Sequence, residues 1–387
     1  MNSQKPFSRK DYLNTSDPLQ MTVDVAALRW NFSQLESMVG EATKIIPSIK
    51  GDGYGVGASL AAQVFKECGA YAVATGSIHD AIAIRDAGND IPIHLFPGIL
   101  PGAMPLVREL GLMPTIYSKE LALAASEASH GRLKVFVKVD AGFGRLGVPV
   151  EQARDLIDYV ASLPGLQIEA VFTHVPFSDG PGLEWAKFGL AKFDRLLGEL
   201  KDAGYQIPIS QSLASSGVLK DVPTHTNAVC VGHLLYGGLG KSSVDAEKTA
   251  RFRPAISEVS ASIVHIRKHG SQASIGNGGR LQVEASTVVG IVPIGLHEGY
   301  RSAAAGQTAY VLHKGRRLPL MFVSQEYAAV DLSRGDSPAV GDTIVIYGRS
   351  GDEQITIEDL AGWQGQSPLH VVMNMCGRVR KNYSLGN

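Results

Sequence analysis

Two hydrophobic periods alternate along the first two thirds of the chain. Short apolar runs stand at 44–49, 70–74, 91–95, 114–117, 134–139, 168–173, 207–210 and 228–230, after a first extended piece at 21–24. Between them lie segments with apolar residues three and four apart, such as 58–68 (ASLAAQVFKEC). That spacing marks one face of a helix. Ser77 and Ser118 stand where an N-cap belongs, and Gly88 ends the helix that Ser77 starts. Nearly continuous apolar strands separated by amphipathic helices predict a parallel sheet covered on its outer face. About eight such units favour closure into a (β/α)8 barrel over an open sheet.

After Pro254 the pattern changes. Residues 256–266, 288–293, 309–313 and 342–347 read as strands, and glycine-bearing turns at 276–279, 314–315 and 350–352 separate them. The expected organisation is a flexible N-terminal segment over 1–19, the barrel over 20–254 and a mostly β domain over 255–387.

Composition leaves this picture intact and removes several functions. The chain has 387 residues and a formal net charge of −1, so bulk electrostatics favour neither nucleic acid nor an anionic membrane. Cys68, Cys230 and Cys376 are far apart and odd in number, which argues against a disulfide framework or a structural zinc site. The polar N-terminus lacks the apolar run of a signal peptide, and no stretch reaches membrane-spanning length. A cytoplasmic protein with no metal is expected.

Candidate chemistry starts at 49–57 (IKGDGYGVG), which follows a strand and precedes a helix. Barrel active sites form at that strand edge. Alternating glycines allow close backbone approach and unusual dihedrals. A lysine shielded there can lose its proton and attack a carbonyl as an amine. By spacing alone, a surface loop with a solvated lysine fits equally well.

The motif at 50–57 (KGDGYGVG) resembles the cofactor-lysine motif of the alanine racemases, fold type III pyridoxal-phosphate enzymes. The resemblance continues in order through 137–147 (VKVDAGFGRLG), Phe172-Thr173-His174, Ala214-Ser215-Ser216, 232–237 (GHLLYG), 291–295 (IVPIG) and 348–353 (GRSGDE). It implies pyridoxal 5′-phosphate held covalently by Lys50, which then serves as a base once the substrate's amine displaces it. It implies a phosphate site made by Tyr54, Ser216, Tyr236 and the backbone of Gly232 and His233. Arg145 would bind the phenolate oxygen, His174 would orient the ring, and Lys138 stands where family members often carry a carbamylated lysine. A small amino acid as substrate and a homodimer, whose second domain completes the partner's site, follow from the same likeness. Taken singly, His174 also reads as a core histidine, Tyr236 as packing, and Arg145 and Lys138 as ion partners of Asp140.

Three positions depart from the family pattern. Cys230 stands where an arginine faces the pyridine nitrogen. Leu296 stands where a tyrosine supplies the second base, and leucine transfers no proton. The C-terminal tyrosine near the phosphate falls at about Gly377. Candidate substitutes for the second base are His297, Tyr300 and Cys376, in that order. An amino-acid racemase or epimerase is the leading expectation. A one-base pyridoxal-phosphate enzyme (aldolase, lyase, decarboxylase or transaminase type) and a non-catalytic cofactor-binding protein are the alternatives.

Overall fold

The structure, a computed structural model, describes residues 17–96, 98–237, 245–375, 377 and 379–385. The chain divides into two compact units, Ala26–Pro254 and Ala255–Asn387, the latter joined by the segment that ends at Val25.

Eight parallel strands ring the first unit. Their order is Lys44–Pro47, Ala228–Val231, Ile209–Leu213, Leu166–Phe172, Leu133–Asp140, Leu112–Ile116, Ile93–Leu95 and Val73–Thr75. The ring closes through a parallel bridge between Ser48 and Ala74, flanked by Tyr71 N donating to Ile45 O at 3.0 Å and Ile49 N to Ala74 O at 2.8 Å. Each apolar run read from the sequence supplies one of these strands, so the expected (β/α)8 barrel is present.

Its interior is packed rather than hollow. Met113, Phe136 and Phe172 fill the barrel beside the small residues Ala72, Ala74, Ala170 and Ala228, so large side chains enter the space small ones leave. Covering helices form where the spacing predicts them. Ala58–Glu67 buries Ala58, Ala61, Ala62, Val64 and Phe65. Ser77 Oγ accepts Asp80 N to cap Ile78–Asp86, and Ser118 Oγ accepts Leu121 N to cap Lys119–Ala128, each satisfying an otherwise unpaired donor of the first turn.

The second unit is mainly sheet. Its strands run in the order His265–Lys268, Val288–Val292, Ala328–Asp331, Arg316–Val323, Tyr310–His313, Thr343–Ser350, Ile256–Ser262, Leu19–Asp24 and Arg380–Ser384. Lys314 and Gly315 form the two-residue turn of one hairpin, both with positive φ, as a tight right-twisted hairpin requires. Helices Ile357–Gln364 and Pro368–Met375 follow.

One expected boundary moves. Leu19–Asp24 is not the start of the barrel: it pairs antiparallel with Ile256–Ser262 and parallel with Arg380–Ser384. Its alternating burial, with Leu19, Met21 and Val23 inward, is the pattern of a strand buried on one face. Barrel strands such as Val73–Thr75, Ile93–Leu95 and Leu112–Ile116 are instead buried at every residue. Most of the segment expected to be flexible, 1–16, lies outside the described residues. No helix among the described residues is long and apolar enough to cross a membrane.

Candidate active site

Lys50 follows the strand Lys44–Pro47 at the C-terminal rim of the barrel, and the next turn is unusual. Gly51, Asp52, Gly53, Tyr54 and Gly55 all have positive φ. A left-handed residue costs about 1–2 kcal/mol when it carries a side chain, and glycine at three of the five positions removes most of that cost. The Asp52 carboxylate accepts Ala58 N at 2.7 Å and ties the turn to the following helix. This backbone aims Tyr54 into the barrel mouth, where its ring stacks on Tyr236 at 4.6 Å.

A cavity of about 440 Å³ opens there. Lys50, Lys138 and Arg145 line it together with Tyr54, His174, Ser215, Ser216, Cys230, Gly232 and His233. No carboxylate lines it among the described residues. Three basic side chains without an acid beside them make a site for an anion.

Each cation reaches the cavity by a different route. Lys50 Nζ projects into the open space over the Phe96 ring, 5.1 Å from its centre. Its side chain is reached by solvent, yet the surrounding protein desolvates the ammonium and, with Arg145, holds its pKa below the ordinary lysine value. Lys138, on the strand Leu133–Asp140, is buried over Phe172 at 4.5 Å. Burial first, then Arg145, pulls it down to about 7. Arg145 rides on the loop after that strand, over Phe143 at 4.5 Å. Asp140 does not pair with it in the way the scaffold reading of these residues supposes. Its carboxylate accepts Gly142 N at 2.9 Å and Gly144 N at 2.8 Å, shaping the loop. Gly147 closes the loop with φ +124 and passes so near the strand that a Cβ would lie 2.8 Å from Asp140 N.

Hydrogen-bond donors line the same cavity. Ser216 Oγ accepts Phe177 N at 3.1 Å and Ser215 Oγ accepts Gly232 N at 3.3 Å. Each hydroxyl therefore keeps its own hydrogen for an acceptor in the cavity. Thr173 Oγ1 and His233 Nδ1 are buried there without a hydrogen-bond partner among the described residues. Burial pulls the His233 imidazole down to about 4 and, with the nearby cations, His174 to about 3. Both are neutral at pH 7. Tyr54 is pushed up to about 12 and the Cys230 thiol to about 11, both chiefly by burial. Gly232 meets the Tyr54 hydroxyl so closely that a Cβ there would overlap it.

Lys50, Tyr54, Arg145, His174, Ser216, Cys230, Gly232 and His233 thus share one cavity, as the sequence led us to expect. Tyr236 does not line it. Its hydroxyl donates to Ser48 O at 3.1 Å and its ring backs Tyr54, so the packing alternative describes it. His174 stands edge-on to Phe143 at 5.7 Å. Thr173, Ser215 and Phe96 were not singled out from sequence, although each stands at a strand end or just beyond it, which was the available signal.

The three substitutes for the second base lie in the other unit and fare differently. Tyr300 is withdrawn: it is 1% exposed, and its hydroxyl is buried without a partner among the described residues. His297 is exposed beside Leu296, itself 54% exposed. Cys376 lies outside the described residues.

An eight-stranded barrel with a cationic cavity at its mouth, followed by a β unit, defines the class of protein. Family comparison is consistent with it along the chain: residues 23–240 match the alanine racemase N-terminal domain and 256–383 match the alanine racemase C-terminal domain. The chain belongs to the alanine racemase family. It is 30% identical to the alanine racemase of Thermodesulfovibrio yellowstonii over 94% of this chain and 97% of that one. It is 28% identical to the alanine racemase of Desulforamulus reducens over 95% and 99%. Among solved structures, alanine racemase from Clostridium difficile 630 superposes with TM-score 0.87 at 23% identity, covering 95% and 96% of the chains. The Bacillus anthracis alanine racemase with bound L-Ala-P gives 0.86 at 22% identity, covering 95% of each.

Proposed function

We propose that this chain binds pyridoxal 5′-phosphate in the barrel cavity and racemises a small amino acid, alanine being the substrate named for its relatives. The cavity itself carries the reading. It brings one accessible lysine with a lowered pKa, two further cations and two free hydroxyl hydrogens around a space with no acid. Those residues fit the group. Lys50 would hold its aldehyde carbon, Ser215, Ser216 and Tyr54 its phosphate, and Arg145 an anionic ring oxygen. His233 Nδ1 and Thr173 Oγ1 are polar atoms still in need of partners there.

When bound, pyridoxal phosphate supplies an electron sink that makes a proton at Cα of the amino acid removable. The chain's part is to place and move that proton. Lys50 takes it as a neutral amine, a state that burial and Arg145 favour. The neutral imidazoles of His174 and His233 add no charge to that of the basic side chains. Cys230 faces the cavity as an uncharged thiol. On the other face of Cα, His297 is the described residue proposed to exchange the proton. The same reading includes a homodimer in which 255–387 of one chain completes the partner's site, and a cytoplasmic setting. A one-base lyase or transaminase is not favoured, because the relatives that match this chain from end to end are named alanine racemase.

The test combines absorbance with isotope exchange. With pyridoxal phosphate added, the wild type should gain a visible band that Lys50→Ala lacks. In D₂O, L- and D-alanine should interconvert with deuterium entering at Cα. Exchange without inversion would reject racemisation, and an unchanged band in Lys50→Ala would reject the cofactor assignment.

A further inference from the structure

A second basic cavity lies at the opposite end of the barrel from Lys50. Its volume is about 330 Å³, and the starts of the strands Leu112–Ile116 and Leu133–Asp140 form its floor. Leu112, Met113 and Leu133 make that floor apolar and buried. Arg108, His130, Arg132 and Lys134 make the walls. As in the cavity at the other end, no carboxylate lines it among the described residues.

The charges there are unevenly committed. Lys134 Nζ is 3.1 Å from the buried carboxylate of Glu169, which also accepts the Tyr71 hydroxyl. His130 Nδ1 is occupied by Ser129 O at 3.2 Å. The guanidinium groups of Arg108 and Arg132 meet no hydrogen-bond or ion partner among the described residues. Two fixed positive charges therefore line one small concavity with an apolar floor. Guanidinium forks match the paired oxygens of phosphate and carboxylate groups.

We propose that this cavity is an accessory binding site for a compact anion of charge −2 or more, such as a diphosphate or a tricarboxylate. Arg108 and Arg132 clamp it, and Lys134 stays with Glu169. The position rules out a part in the reaction at Lys50, because the two cavities stand at opposite ends of one packed barrel.

Isothermal titration of the protein saturated with pyridoxal phosphate tests this, since the cofactor occupies the other cationic cavity. Inorganic pyrophosphate and citrate are the probes. The substitutions are Arg108→Gln with Arg132→Gln, both at exposed positions, so circular dichroism should show the fold retained. Lys134 is left alone because its loss would strand the buried Glu169 charge. We expect one saturable site per chain, weakening with added salt, and at least fivefold weaker in the double variant. Preference for pyrophosphate identifies a phosphate ligand, and preference for citrate a polycarboxylate; either supports the site. No saturable binding of either probe, or less than a fivefold change in the double variant, overturns it.

Discussion

Lys138 gives the most direct test of how the active-site electrostatics couple to the fold. The perturbation is Lys138→Met, which keeps most of the side chain and removes the ammonium. In the folded chain Lys138 gives up its proton near pH 7, against an ordinary 10.5. At about 1.4 kcal/mol per tenfold change in proton affinity, its charged form costs the fold about 5 kcal/mol. The variant also loses the contact of the ammonium with the Phe172 ring, worth about 1–2 kcal/mol. The net expectation is a cofactor-free variant about 3 kcal/mol more stable than wild type at pH 6. The sign with pH follows from linkage. Between pH 7 and 10.5 the unfolded chain holds a proton on this lysine that the folded chain has released, so wild-type stability rises with pH across that window. The advantage of Lys138→Met should shrink toward zero by about pH 10. Urea unfolding of both proteins at pH 6 and pH 10 measures it, and taking the difference cancels the other titrating groups. A variant less stable than wild type at pH 6, or an advantage equal at both pH values, would refute the reasoning.

Two further outcomes follow from local geometry. Gly232→Ala should drive a methyl against the Tyr54 hydroxyl, whose ring is held by its stack on Tyr236. We expect a loss of about 1–3 kcal/mol by overpacking and at least tenfold weaker uptake of pyridoxal phosphate in an absorbance titration. Ser118→Ala should cost about 1 kcal/mol by leaving Leu121 N without its cap. That loss is readable as a lower urea midpoint with unchanged cofactor binding.

What the sequence makes legible follows from how each part is buried. Barrel strands are covered on both faces, so 134–139 or 168–173 reads as a largely apolar run and the parallel sheet follows. Arg316–Val323 opens with two arginines and carries Pro319, so neither alternation nor an apolar run marks it. Arg380–Ser384 is polar, and it is a strand because its backbone pairs in parallel with Leu19–Asp24; side chains give no signal of that pairing. The cavity is legible where a motif follows a barrel strand, as with Lys50, Arg145 and Ser216. It is not legible where direction matters. Whether the Tyr236 hydroxyl points into the cavity is decided by the Ser48 carbonyl, 188 residues away in the chain.

The same limit bears on the second base, where residue type and residue direction give different answers. Three candidates were open from type alone, and the backbone of the loop after Val288–Val292 separates the two that it carries, His297 and Tyr300. Leu296 N donates to Ser324 O at 3.0 Å, His297 N to Gln325 O at 2.7 Å and Tyr300 N to Gly295 O at 3.0 Å. Gly299 approaches Asn374 O so closely that a Cβ there would overlap it. A loop pinned at these points cannot rotate a side chain from one side to the other without breaking several bonds. It presents Leu296 and His297 outward and Tyr300 inward. The tyrosine in this stretch is therefore the described candidate withdrawn from solvent, although it shares the residue type expected of the second base. The imidazole at 297 stands one residue from the expected position and is the side chain type best suited to proton transfer near neutral pH. The loop thus carries an exposed imidazole one residue beyond Leu296, and that imidazole is the described side chain on which the proposed second proton exchange rests.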